Sequence, residues 1–240
     1  MATFVLVHGS GDGSWIWKRL TPLLRTGKHE VYTPTLTGVG DRSHLVDCGV
    51  DLNTHIKDVT NLIEYEDLTD VILVGHSYAG MVITGVAAKV PERLSQVVYL
   101  DAYLPDAGQS EADLWPADMK AAILGENSTG SGVRKPTPAA IFGITDPELA
   151  KWVEDRTTSH PMACYFQPAP PGDDRSASLR YVFIHCTEGI TAPIFATFAN
   201  KAKARGWEVY ELISGHLVML TLTAELAALL LALAGADDRG

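Results

Sequence analysis

Six short runs rich in β-branched and other apolar residues recur along the chain, with intervals between them long enough for a helix: FVLVHG at 4–9, EVYTPTL at 30–36, VILVGHS at 71–77, VVYLDA at 97–102, YVFIHCT at 181–187 and EVYELI at 208–213. Most are continuous in apolar residues instead of alternating with polar ones. That pattern belongs to strands whose two faces are both covered. Helical stretches are expected at about 14–26, 53–66, 79–90, 191–205 and 222–234, with Asn53 as an N-cap and Gly206 as a stop. Strands alternating with helices predict an α/β fold, a mainly parallel sheet flanked by helices.

The 240 residues are 46% hydrophobic, enough to bury one core. Residues 105–178 break the strand–helix rhythm with a stretch rich in Pro, Gly, Ser and Ala. We expect a core built from 1–104 and 179–240, with 105–178 inserted between two strands as a lid over the carboxyl ends of the sheet, where open parallel sheets bind ligands. Nineteen Lys and Arg against 29 Asp and Glu give a net charge of −10, which repels nucleic acid and anionic membranes. Cys48, Cys164 and Cys186 are far apart and lack the spacing of a metal site, so they are expected as free thiols in a reducing compartment. MATFVLVHG enters a strand with no secretory pattern, and AELAALLLALAG is too short to span a bilayer. These features set the expectation of a cytoplasmic protein.

The run VILVGHSYAGMV ends in a serine where a strand gives way to a helix. Strand, tight turn and helix in that order form a nucleophile elbow, which makes Ser77 the candidate nucleophile. The usual second glycine of G-x-S-x-G is replaced by Ala79, with Gly80 following. A serine hydroxyl needs a base, and His216 in ELISGHLVML follows the last strand at the same sheet edge. His76 is expected to point away from the serine, and His8 to brace the first loop. For the developing oxyanion, the Gly-rich turn HGSGDGSWIW and the elbow offer the main-chain N–H groups of Ser10 and Tyr78. That turn lacks both the dinucleotide glycine pattern and the Walker lysine, so it is not expected to bind phosphate; acyl transfer by a serine and a histidine implies no cofactor and no metal.

Together, VLVHGSGDGSWIW, TPTLTGVGDRSH, VGHSYAGMV, LPDAGQS and GHLVML resemble the α/β-hydrolase superfamily, in the branch holding plant methylesterases, hydroxynitrile lyases and bacterial esterases. The resemblance covers nearly the whole chain and is weakest in the lid. It implies a Ser–His–acid triad, but the aspartate that follows C-T-E in the methylesterases is Gly189 here. Asp101, at the end of VVYLDA, is the preferred acid, with Glu188 as the alternative. The function expected is a serine carboxylesterase acting on a small apolar or aromatic ester. Trp115, Met119, Leu124, Ile141, Trp152 and Leu217 are the candidate pocket residues. A lyase of the hydroxynitrile type is disfavoured, because Gly9 and Leu217 stand where that group has a threonine and a lysine. A ligand receptor or a ring-forming biosynthetic catalyst on the same fold stays open, and a homodimer is compatible with the sequence.

Overall fold

The computed structural model describes residues 1–126, 132–172 and 174–236. The strands are β1 (Thr3–Val7), β2 (Glu30–Tyr32), β3 (Val71–Ser77), β4 (Leu94–Ala102), β5 (Val133–Arg134), β6 (His160–Pro161), β7 (Arg180–Cys186) and β8 (Glu208–Leu212). Six of them form one sheet in the order β2-β1-β3-β4-β7-β8, with every pairing parallel. The two-residue strands β5 and β6 pair antiparallel apart from it.

The helices are α1 (Leu20–Arg25), α2 (Leu52–Tyr65), α3 (Ala79–Lys89), α4 (Glu111–Leu114), α5 (Ala117–Glu126), α6 (Pro147–Glu154), α7 (Ala163–Phe166), α8 (Asp174–Ala177), α9 (Ala192–Ala204), α10 (Val218–Thr221) and α11 (Thr223–Ala236). They divide between the two faces of the sheet. Val5 and Val7 of β1 pack with residues of α2, α3 and α9, while Phe4 and Leu6 pack with residues of α1, α10 and α11. The continuous apolar runs are thus alternation onto two apolar layers, and each buried Val, Leu or Ile side chain contributes about 1.5–3 kcal/mol.

Three local expectations shift. The EVYTPTL run pairs only as Glu30–Tyr32, because Pro34 has no N–H to give a ladder. The 14–26 helix splits into a 3-10 turn at Ser14–Trp17 and α1, since Pro22 fits only the first turn of a helix. Asn53 does not cap α2. Asp51 does, accepting from the Thr54 N–H at 2.9 Å in a reciprocal capping box. Gly206, at φ +77° just beyond α9, takes the left-handed position expected of a helix stop.

Helices α4 to α8 and the β5–β6 ladder all lie between the end of β4 and the start of β7. This inserted segment is tied to the loop after β1. The Thr158 N–H donates to the Gly11 carbonyl at 2.8 Å, the Gly11 N–H donates to His160 Nδ1 at 3.2 Å, and the Tyr165 hydroxyl donates to Ser10 Oγ at 2.9 Å. Among the described residues no helix is long and apolar enough to cross a membrane.

Candidate active site

Strand β3 delivers Ser77 in the left-handed conformation, φ +57°, immediately before α3. For a residue with a side chain that backbone is costly, and it lifts the hydroxyl out of the strand–helix corner. The steric demand of the turn falls on Gly75 and Gly80. A Cβ at Gly75 would come within 2.9 Å of the Ala79 carbonyl oxygen, and one at Gly80 would lie 1.9 Å from that of Tyr103. The departure at Ala79 is therefore harmless, because the backbone that crowds this turn passes Gly80.

Asp101 is the penultimate residue of β4 and also has a positive φ, +43°. Its Oδ2 accepts from His216 Nδ1 at 2.7 Å, while Oδ1 accepts from His185 Nδ1 at 3.1 Å and from the Cys186 N–H at 3.0 Å. Burial alone would raise this carboxyl, but the bonds from His185, His216 and Cys186 outweigh it and hold the group below the ordinary carboxylate range. With Nδ1–H given to Asp101, Nε2 of His216 is the basic nitrogen. Glu188 is exposed and contributes only its N–H, which donates to the Ser214 carbonyl at 3.0 Å. The structure brings Asp101, and not Glu188, to His216.

The His216 ring is held from several sides. Phe195 stacks on it at 4.6 Å, Phe142 lies 5.3 Å away, and His76 donates from Nε2 to its carbonyl at 3.0 Å. His76 therefore braces the loop of the candidate base, although it shares the cavity wall with Ser77. Burial, with the nearby His216 charge, holds His76 well below its ordinary pKa, so it is neutral. His8 braces the first loop as expected, donating from Nδ1 to the Gly9 carbonyl and accepting the Leu36 N–H at Nε2. Neither His76 nor His185 stood out as a site residue in the sequence, although a histidine inside an apolar strand run is itself a signal.

A cavity of about 250 Å³ opens between the sheet edge and the inserted segment, with Ser77, His216 and Ser10 on its wall. Of the expected pocket residues, Met119, Ile141 and Leu217 line it. Trp115, Leu124 and Trp152 do not. Trp115 is buried behind the wall against Tyr165, Leu124 is 44% exposed, and Trp152 packs edge-on to Trp15 beneath Arg156. These three follow the local packing of short helices, which the aperiodic lid sequence conceals. The Tyr78 side chain is buried in the core with its hydroxyl on His55 Nδ1 at 2.8 Å, so only its main chain is near the elbow.

The wall also carries Asp12 and Glu111, two carboxyls the sequence did not single out. Burial pushes Asp12 up to about 7 and Glu111 up to about 8. The ligand atoms of His55, His160 and Cys164 lie within 4.8 Å of one another, a spacing that could hold a metal ion. His55 is already engaged through both nitrogens, to the Tyr78 hydroxyl and the Thr37 carbonyl, and burial keeps the Cys164 thiol protonated up to about 12. A metal would have to displace both bonds and proton.

Residues 4–229 match the model of the Alpha/beta hydrolase family. The carbendazim hydrolyzing esterase of Nocardioides sp. (strain SG-4G) is 40% identical over 97% of this chain and 100% of its own length. The polyneuridine aldehyde esterase of Rauvolfia serpentina is 28% identical over 80% of this chain and 79% of its own. Among solved structures, an extracellular alpha/beta-hydrolase from a Paenibacillus species superimposes with a TM-score of 0.86 at 26% identity, covering 97% of this chain and 98% of that one.

Proposed function

The chain belongs to the alpha/beta hydrolase family, and from that premise we propose that it is a serine carboxylesterase for a small apolar or aromatic ester, with Ser77, His216 and Asp101 as its triad. The observation that carries this reading is the 2.7 Å bond from His216 to Asp101 at the wall of a cavity that Ser77 shares. Ser77 Oγ attacks the ester carbonyl as His216 Nε2 takes its proton. The main-chain N–H groups of Ser10 and Tyr78 hold the oxyanion, the latter at the start of α3, where the helix favours negative charge. His216 then gives the proton to the departing alcohol, and a water molecule releases the acid by the same steps in reverse roles. Asp101 fixes the tautomer and supports the imidazolium.

A cavity of about 250 Å³ with Met119, Ile141 and Leu217 on its wall suits a compact apolar acyl or aryl group. Two observations weigh against the lyase reading. A Cβ at Gly9 would stand only 3.0 Å from Ser77 Cβ, so a threonine would crowd the nucleophile, and Leu217 offers no charge for a cyanide.

Turnover of a panel of small alkyl and aryl esters by wild type and Ser77→Ala tests the proposal. Hydrolysis that falls by about 10³-fold or more in the variant is the result expected. Equal rates in the two proteins would overturn it, and so would tight ligand binding with no turnover in the wild type.

A further inference from the structure

Glu111 is a buried carboxyl on the cavity wall for which the proposed mechanism has no use. It opens α4 in the inserted segment and is 1% exposed. One oxygen, Oε1, accepts the Trp115 indole N–H at 3.0 Å. The other, Oε2, is buried and has no hydrogen-bond partner among the described residues. A buried polar atom left unpaired costs about 1–3 kcal/mol, so one carried by a residue that lines a cavity marks a place where a ligand reaching it can supply the missing bond.

Its surroundings limit what that ligand is. Arg134 also lines the cavity but donates to Thr137 Oγ1 at 3.2 Å and stands over the Tyr165 ring, and among the described residues it forms no ion pair with Glu111. Burial, only partly offset by the Trp115 bond and the Arg134 charge, raises Glu111 to about 8, so near neutral pH the carboxyl holds its proton. Oε1 is already an acceptor for Trp115. The proton therefore sits on Oε2, the unpartnered oxygen.

We propose that Glu111 is a specificity residue of this cavity, donating from Oε2 to an uncharged hydrogen-bond acceptor, a heteroaromatic nitrogen or a carbonyl oxygen, borne by the apolar part of the substrate. The inference deepens the esterase reading and rests on it for the cavity being a substrate site. Trp115 acts through Glu111 as its positioning residue, holding the carboxyl so that Oε2 is the atom left to the ligand.

The test uses matched esters: methyl 3-phenylpropanoate and the three isomeric methyl 3-(pyridyl)propanoates, whose ring nitrogens sample different positions. The readout is the ratio of kcat/KM, pyridyl over phenyl, which cancels losses common to both substrates. Wild type is expected to favour at least one pyridyl isomer by about tenfold. Glu111→Leu, with no polar atom, is expected to lose that preference. Glu111→Gln is expected to keep most of it, because the amide can accept from Trp115 through oxygen and donate through nitrogen as the protonated acid does. No preferred isomer in wild type would overturn the inference, as would a preference surviving in Glu111→Leu or lost in Glu111→Gln. Calorimetric binding of the same esters to Ser77→Ala protein separates this inference from the esterase reading. A pyridyl preference in binding with no turnover by wild type upholds the subsite and overturns the esterase. Turnover with no preference in either measurement overturns the subsite alone.

Discussion

Behind the floor of the cavity and in its roof, a buried carboxyl is handled in opposite ways. Asp101, at a strand end, and Glu111, in the inserted segment, are 0% and 1% exposed, so both bear the full cost of leaving water. Asp101 receives three donors and is held below the ordinary range, whereas Glu111 receives one and is pushed up to about 8. Burial does not decide the charge; the number of donors does. Donors that saturate a group fix its charge and its geometry, as a residue orienting a catalytic base requires. A group left one bond short is instead open to a ligand; Asp12, on the same wall, is likewise raised by burial, to about 7.

The largest loss is expected at the floor. Asp101→Asn should cost about 10⁴-fold in kcat, because the amide can leave His216 with the proton on the wrong nitrogen, while Glu188→Gln should change it less than about twofold. Ester kinetics on the two variants check this; a large loss in Glu188→Gln with Asp101→Asn active would reverse the assignment. Gly80→Ala should follow. Its Cβ would be driven into the Tyr103 carbonyl, lowering stability by about 3 kcal/mol or more, which is read from the urea midpoint.

The roof and the floor should also respond to pH with opposite signs. Unfolded Glu111 ionises in the ordinary range but in the folded chain only near about 8, so between these values the folded state holds the extra proton and stability falls as pH rises. Asp101 does the reverse: its contribution is present above the unfolded value and is lost as pH falls through the lowered folded one. Glu111→Gln should therefore flatten the decline from pH 5 to 9 by on the order of 1–3 kcal/mol in urea unfolding, leaving the acid limb unchanged. The smallest effect is expected at Leu124, which is exposed and outside the cavity wall. Leu124→Ala should leave both kcat/KM and the unfolding midpoint within error.

The floor was largely legible in the sequence and the roof was not. Strand runs, the elbow around Ser77 and the histidine after β8 obey short-range rules of periodicity and turn chemistry, so Ser77 and His216 stand out as candidates and Asp101 is preferred. The bonds that separate Asp101 from Glu188 join residues 85 and 115 positions apart, a relation no local pattern carries. In the insertion there is no period to read. Trp115 looked like a pocket aromatic and is instead the support of Glu111, while Glu111 itself, in GQSEADLWP, sits in no pattern that sets it apart from other acidic residues.

The proposal that Ser77 is a nucleophile activated through His216 and Asp101 is tested most directly by a fluorophosphonate probe followed by peptide mass spectrometry. Wild type should gain one adduct, on Ser77, at a rate that falls by orders of magnitude in Asp101→Asn and is unchanged in Glu188→Gln. An unmodified Ser77, or labelling that proceeds equally fast in Asp101→Asn, would contradict it.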